Sequence, residues 1–338
     1  MEEDYIKAKL TEEYGIEVIN IEKVKNVYKV EDEKGDFYAL KLIKYEFPHF
    51  LFIISAMNHL ESKGFSSIIP FMKTVKGENY IKIQDKHAYL SPWIIGREAN
   101  YDNPIELSIV AKRLGELHIK SEGFTIDDRA KPRNYWFKWF YNFNSRLNEI
   151  LDFRKRITNK EKLTAFDYEY VSILEEQLEK GKQALYYLGK SDYIEKMEKE
   201  IEKHGFCHHD LAHHNVIMKQ GNDISIIDFD YCILDTHLHD LSSFLIRAMK
   251  NGKWDIDKAR FILDSYNEIY TINSTDIPIM AAFMEFPQDY WQLGIQYYWE
   301  MQPWSEEMFL RKLNKIIEDR ELKEDFIKEF RTQRYNGG

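Results

Sequence analysis

The stretch that most constrains this chain runs from His204 to Asp230, HGFCHHDLAHHNVIMKQGNDISIIDFD. Asp210 is followed five positions later by Asn215, and an apolar run from Ile224 to Ile227 ends in Asp228-Phe229-Asp230. Between them, Val216-Ile217-Met218 and Ser225-Ile226-Ile227 read as two short strands around Gln220-Gly221-Asn222-Asp223, a hairpin turn signal. A hairpin returns the end of its second strand to the loop before its first. Asp210, Asn215 and Asp228 therefore converge at one edge.

Two carboxylates and an amide oxygen are hard ligands suited to Mg²⁺, which takes octahedral oxygen coordination shared with substrate phosphates. The order and the Asp-to-Asn spacing match the kinase signature H-R-D-L-x-x-x-N followed by D-F-G. In that scheme Asp210 takes the proton of an attacking hydroxyl, while Asn215 and Asp228 hold the metal. Two positions depart from it: His209 stands for Arg, and Asp230 stands for Gly. With these changes the pair of motifs resembles the aminoglycoside phosphotransferase/choline kinase branch more than eukaryotic-type protein kinases. Taken singly, each motif is compatible with a chance loop or an ordinary buried strand; the hairpin that sets them in register argues for the site.

Upstream, residues 3–14 read as a short amphipathic helix stopped at Gly15. Alternating β-branched and aromatic residues then predict three antiparallel strands over 17–24, 26–30 and 36–45. The third, FYALKLIKY, places Lys41 where a kinase holds the α- and β-phosphates. No Gly-rich loop separates the first two strands; only Lys25-Asn26 marks the turn. A helix over 48–63 follows, and the carboxylate partner of Lys41 stays open between Glu46 and Glu61. Strands are predicted at 68–75, 79–84 and 86–93. Tyr89, Ser91 and Trp93 belong to a hinge whose backbone suits adenine.

From Asn103 the pattern is helical. Leu107, Val110, Ala111, Leu114 and Leu117 share one face, and His118 closes that helix in a packing role. An aromatic-rich helix is predicted from Lys131 to Leu151, others over 164–187 and 191–203, and a helical pattern over 255–338 with breaks at Pro287 and Pro303. In the central stretch His208 suits a loop-stabilising hydrogen bond to backbone, and Asp240 suits the anchor of the catalytic loop through backbone N–H groups. The five histidines at 204, 208, 209, 213 and 214 cannot all face one centre in a tight loop, which argues against zinc. The expected fold is α+β and bilobal, protein-kinase-like. Residues 1–92 form a small β-sheet N-lobe with one helix that binds nucleotide. Residues 93–338 form a large helical C-lobe with the catalytic loop, metal site and acceptor site.

YALK (38–41), YLSPWIIGRE (89–98), LGELH (114–118), CHHDLAHHN (207–215), IIDFDYC (226–232) and HDLSSFL (239–245) together resemble the spore-coat kinase-like (CotS) family of that superfamily. The resemblance implies ATP and Mg²⁺ as ligands, a location in the spore coat and other coat proteins as partners, while the acidic N-terminus MEEDYIKAKL, unlike a signal peptide, leads to the expectation of cytoplasmic synthesis. It supplies no acceptor. An active phosphotransferase and a catalytically inactive coat scaffold both remain open. Composition narrows the classes further. A net charge of −10 opposes nucleic-acid binding, no apolar run is long enough for a membrane span, and the aromatics of an acidic C-lobe suit a cationic or sugar acceptor.

Overall fold

The computed structural model describes residues 2–335; residue 1 and residues 336–338, the outer ends of the expected lobes, lie outside them. A five-stranded antiparallel sheet in the order β1-β2-β3-β5-β4 forms the N-lobe. Its strands are β1 (Val18–Val24), β2 (Val27–Asp32), β3 (Phe37–Leu42), β4 (Ile81–Ile83) and β5 (Lys86–Pro92). Helix α1 (Glu2–Tyr14) packs Ile6, Leu10 and Tyr14 against Val30, Leu40 and Leu90 on one face of the sheet. Gly15, at φ +68°, ends that helix in the left-handed region where glycine carries no Cβ penalty.

Helix α2 (Phe47–Ser62) is apolar nearly all round because it serves two cores. Phe50 and Ile54 pack with Phe71 and Tyr89 on the sheet side, while Phe52, Ile53, Ala56 and Leu60 join the C-lobe core. Between α2 and β4 the sequence predicts a strand over 68–75, and the structure has none. Pro70 offers no N–H to a ladder. The segment is instead tied piecemeal, Met72 N–H to the Leu90 carbonyl at 2.8 Å and the Ser67 carbonyl to Ile226 N–H at 2.7 Å.

Strand β6 (Arg97–Glu98) opens the C-lobe and pairs with the central hairpin, β7 (Val216–Met218) and β8 (Ile224–Ile226), in register Val216 to Ile226. Helix α3 (Pro104–Ser121) buries the predicted stripe, Leu107, Val110, Ala111, Leu114 and Leu117. Each leucine or valine side chain so removed from water contributes about 1.5–3 kcal/mol. Asn103 caps it by accepting from Ile105 N–H at 3.0 Å.

The aromatic helix, α4 (Trp139–Thr158), begins eight residues later than its composition suggests. Pro132 and a parallel bridge between Asn134 and Leu234 draw the preceding backbone into a loop against the C-lobe. Trp139 and Phe143 are core; Tyr141 faces solvent. The stretch expected as one helix over 164–187 breaks at Ile173 into α5 (Ala165–Ser172) and α6 (Leu174–Lys190). Helix α7 (Tyr193–Lys203) leads to the central stretch. After it come α8 (His237–Met249), α9 (Ile256–Asn267), α10 (Asp276–Glu285), α11 (Gln288–Gly294), which continues as a π turn, and α12 (Glu306–Phe330). Both cysteines are free and buried, and no helix of the described residues is long and apolar enough to cross a membrane.

Candidate active site

Alternation along β3 sends Leu40 into the α1 core and Ala39 and Lys41 toward the junction of the lobes. There Lys41 Nζ lies 2.8 Å from Asp228 Oδ1 and 2.8 Å from Asp230 Oδ2. Burial works against its charge, but Tyr89, Asp230 and Asp228 more than offset it, and the pKa stands above the ordinary lysine value. Tyr45 donates its hydroxyl to Asp230 Oδ1 at 3.0 Å, and His49 Nε2 lies 3.2 Å from the Asp230 carbonyl. The carboxylate partners of Lys41 are thus Asp228 and Asp230. Glu46 pairs instead with Lys131 at 3.4 Å, and Glu61 sits on an exposed face of α2.

Asp228 adopts φ +65°, uncommon for a residue with a Cβ, at the point where β8 turns away from the sheet. His209 is likewise left-handed at φ +70°. What holds that second loop is Asp240, from the first turn of α8. It accepts from His208 N–H at 2.6 Å and from His209 N–H at 2.7 Å, and lies 3.3 Å from His118 Nε2. Desolvation opposes its charge, but His118 and the neighbouring histidines bring its pKa below the usual carboxylate range.

His208 is fully buried beneath the loop. Its Nδ1 accepts from Asp210 N–H at 3.2 Å, so Nε2 carries the proton and donates to the Ile227 carbonyl at 3.0 Å. One side chain thereby ties the loop before β7 to the end of β8. The Asn215 carbonyl, accepting from Ile227 N–H at 2.9 Å, does the same through the backbone.

Asp210 is engaged on both oxygens. Asn215 Nδ2 donates to Oδ2 at 3.0 Å and to the Asp210 carbonyl at 2.9 Å; Arg247 Nη2 donates to Oδ1 at 2.6 Å. Because Asn215 uses its nitrogen toward Asp210, its Oδ1 remains an oxygen donor. Asp228 commits Oδ1 to Lys41 and keeps Oδ2. Two hard oxygens on one cleft wall suit a divalent cation such as Mg²⁺.

That cleft, of about 690 Å³, lies between the lobes. Lys41, Tyr89, Ser91, Trp93, Asn215 and Asp228 all line it, together with Val27, Ala39 and Ile226. A volume of this size with mostly apolar walls and a few polar groups at one end fits a small organic ligand. The β1–β2 turn, with Lys25 at φ +52°, forms part of its roof, and Lys25 reaches Glu98 at 3.5 Å across the gap.

The five histidines disperse. His204 ends α7 in a left-handed cap, His208 is buried, His209 packs on His239, and His213 and His214 border the cleft. His118, Cys207 and Asp240 do cluster, but His118 is bonded to Tyr266 and Asp240, and Asp240 to two amides. Their bonds are those of a loop anchor.

Three contributors escape sequence reasoning: Asp230, Tyr45 and Arg247. Asp230 had a signal, an acid where the kinase motif has glycine. Arg247 had a fainter one, since it lies seven residues beyond Asp240 and so on the same face of α8.

Residues 7–330 match the family described as "Spore coat putative kinase YutH". The chain is 25% identical over 305 residues to spore coat protein S of Bacillus subtilis (strain 168), an alignment covering 90% of this chain and 86% of that one. Among solved structures, it resembles an aminoglycoside phosphotransferase from Alicyclobacillus acidocaldarius at TM-score 0.82 and 21% identity, covering 95% and 93% of the two chains. The AMP-bound spectinomycin phosphotransferase APH(9)-Ia matches at TM-score 0.67 and 16% identity, over 98% and 99%. These structural likenesses establish the bilobal phosphotransferase fold.

Proposed function

Since the chain belongs to the spore coat putative kinase YutH family, we propose that it is an ATP-dependent phosphotransferase of the spore coat, moving the γ-phosphate to an acceptor hydroxyl. The observation that carries this reading is the meeting of Lys41, from the N-lobe sheet, with Asp228, from the C-lobe hairpin, at 2.8 Å in the interlobe cleft. In this reading residues 1–92 supply the nucleotide site and residues 93–338 the catalytic loop, metal site and acceptor site. Adenine lies against the strand that carries Tyr89 and Ser91 and against Trp93. Lys41 holds the α- and β-phosphates, and Asn215 and Asp228 hold Mg²⁺. When bound, Mg²⁺ supplies positive charge to the phosphate oxygens.

The chain's own residues then position and deprotonate the acceptor. Its oxygen bonds to the γ-phosphorus as the bond from that phosphorus to the β–γ bridging oxygen breaks, and the hydroxyl proton passes to Asp210. Most of the rate comes from alignment and fixed charge. Asp240 and His208 contribute by fixing the loop. Acceptor and coat proteins are the partners in this scheme.

Thermal unfolding with and without Mg-ATP, in wild type and Asp228→Ala, tests the nucleotide half. Ligand at about 100 times its Kd stabilises by about 2.7 kcal/mol. A Mg-dependent shift lost in the variant supports the site. No shift at millimolar Mg-ATP would leave the coat-scaffold reading instead.

A further inference from the structure

Asp210 would be the proton acceptor of the reaction, yet a guanidinium already occupies one of its oxygens. Arg247 Nη2 lies 2.6 Å from Asp210 Oδ1, while Arg247 Nε is buried with no hydrogen-bond partner. Asp210 is the single carboxylate it pairs with among the described residues. A second cation lies nearby. Arg133 stacks on Tyr231 at 5.3 Å, its charge acts on His209 beside Asp210, and it makes no ion pair among the described residues. On α8, Ile246 and Lys250 flank Arg247 and line a separate C-lobe cleft of about 410 Å³. Lys250, Lys312, Lys315, Arg320 and Lys323 border that cleft against two carboxylates, Asp289 and Asp319. In a chain of net charge −10 that cleft is locally positive, but it is lined by neither Arg247 nor Asp210 and is distinct from their pair.

A cationic acceptor placed at Asp210 would meet Arg247 at close range, where like charges repel strongly in a partly buried site. A neutral alcohol could accept one hydrogen bond from it but brings no charge to replace that of Asp210. An anionic group would take the guanidinium in a charge-assisted, planar contact, the geometry arginine suits best. We infer that the acceptor is a small anionic alcohol, bearing a carboxylate or phosphate near its hydroxyl, and that Arg247 is the residue that recognises the anion. Binding then draws Arg247 from Asp210 Oδ1 to the acceptor's anion, and the freed oxygen accepts the hydroxyl proton as the phosphoryl group transfers from ATP. This assignment rests on the phosphotransferase reading and departs from the expectation of a cationic or sugar acceptor drawn from composition.

The test compares glycerate and glycerol 3-phosphate with glycerol and choline as acceptors under Mg-ATP, in wild type, Arg247→Gln and Arg247→Lys. One charge-assisted hydrogen bond predicts a preference of about 10- to 100-fold in kcat/KM for the anions, carried in KM, abolished by R247Q and partly kept by R247K. The two anions tell a carboxylate site from a phosphate site. Binding is read separately: each anion alone should raise the melting temperature of wild type and not of R247Q. Glycerol or choline turned over as well as the anions overturns the inference. So does an anion shift that is absent in wild type or unchanged in R247Q. A protein stabilised by Mg-ATP but indifferent to the anions keeps the phosphotransferase reading and loses this one. A protein stabilised by the anions through Arg247 but not by Mg-ATP keeps an anion site at Arg247 and loses the phosphotransferase reading, and with it the acceptor assignment.

Discussion

The two charged centres of this molecule are built in opposite senses. At the lobe junction one cation, Lys41, faces two carboxylates, Asp228 and Asp230, leaving a net negative charge. On the catalytic loop one carboxylate, Asp210, faces one guanidinium, Arg247, leaving none. A triphosphate cannot approach the first centre unless positive charge comes with it, which is the role a divalent cation fills in phosphoryl transfer. The second centre needs no imported charge, because its arginine is free to exchange one anion for another. In the proposed function the donor side would thus depend on metal, and the acceptor side on a side chain.

The largest effect should come from breaking the acceptor side alone. Asp210→Asn keeps a bond to Arg247 or Asn215 but removes the proton acceptor, and turnover should fall about 10²- to 10⁴-fold. Stabilisation by Mg-ATP should survive, since Asp210 does not border the interlobe cleft. Parallel turnover and thermal-shift measurements on the variant check both halves. Loss of the Mg-ATP shift would mean that the two centres are one.

Next in size is the anchor beneath the loop that carries Asp210. Asp240→Ala strips acceptors from two buried amides, His208 N–H and His209 N–H, and from His118. Removing one member of a buried charged network costs about 3–5 kcal/mol. Urea unfolding should show it as a lower midpoint at unchanged slope.

Asp230→Asn probes the donor side more gently. Lys41 retains Asp228, and the amide can still accept from Tyr45, so the loss should be about 1–2 kcal/mol in the same assay. The sharper readout is the magnesium requirement. With one carboxylate of the pair neutralised, ATP without metal should bind less poorly than it does to wild type. An unchanged metal requirement would argue that Asp230 serves only to hold Lys41.

How much of this was legible in the sequence depends on how local its cause is. The β1–β3 strands, the β7–β8 hairpin and the buried stripe of α3 follow from alternation and from 3.6-residue spacing, which neighbouring residues set among themselves. Residues 68–75 and 131–138 have strand-like and helix-like composition, but Pro70 and Pro132 remove donors and distant strands and loops claim the remaining backbone. In the site, Asp210, Asn215 and Asp228 stand out because one hairpin brings them together. Lys41 and Asp228 are 187 positions apart, so the partner of the lysine depends on how the lobes dock. Glu46 and Glu61, the acids nearest in sequence, sit at the ends of α2, whose inward faces are taken up by two apolar cores. Arg247 left only a faint signal, its place on the Asp240 face of α8, because that pattern does not tell a solvated arginine from one turned toward the catalytic loop.

The smallest effect concerns pH and falls on one centre only. His208 and His209 immediately precede Asp210 in the loop, and burial lowers both of their pKa values, His209 to about 3. For His208 the geometry agrees, since Nδ1 accepts from Asp210 N–H and cannot take a proton without losing that bond. In the unfolded chain both titrate near 6.5. Below that pH the unfolded state binds protons that the native state refuses, so stability declines as pH falls. Each histidine contributes up to about 1.4 kcal/mol per pH unit in the window, which for His209 closes near its folded value of about 3. Lys41, with its raised pKa, acts at the other end. Its contribution is complete below the ordinary lysine value and fades only in strong alkali. Between pH 7.5 and 5 the catalytic loop should therefore weaken while the lobe junction does not. Urea unfolding across that range should show falling stability in wild type and a shallower decline in His208→Gln. A flat wild-type profile would mean that the histidines beneath Asp210 are already charged in the native protein, and that the acceptor centre carries more positive charge than Arg247 alone supplies.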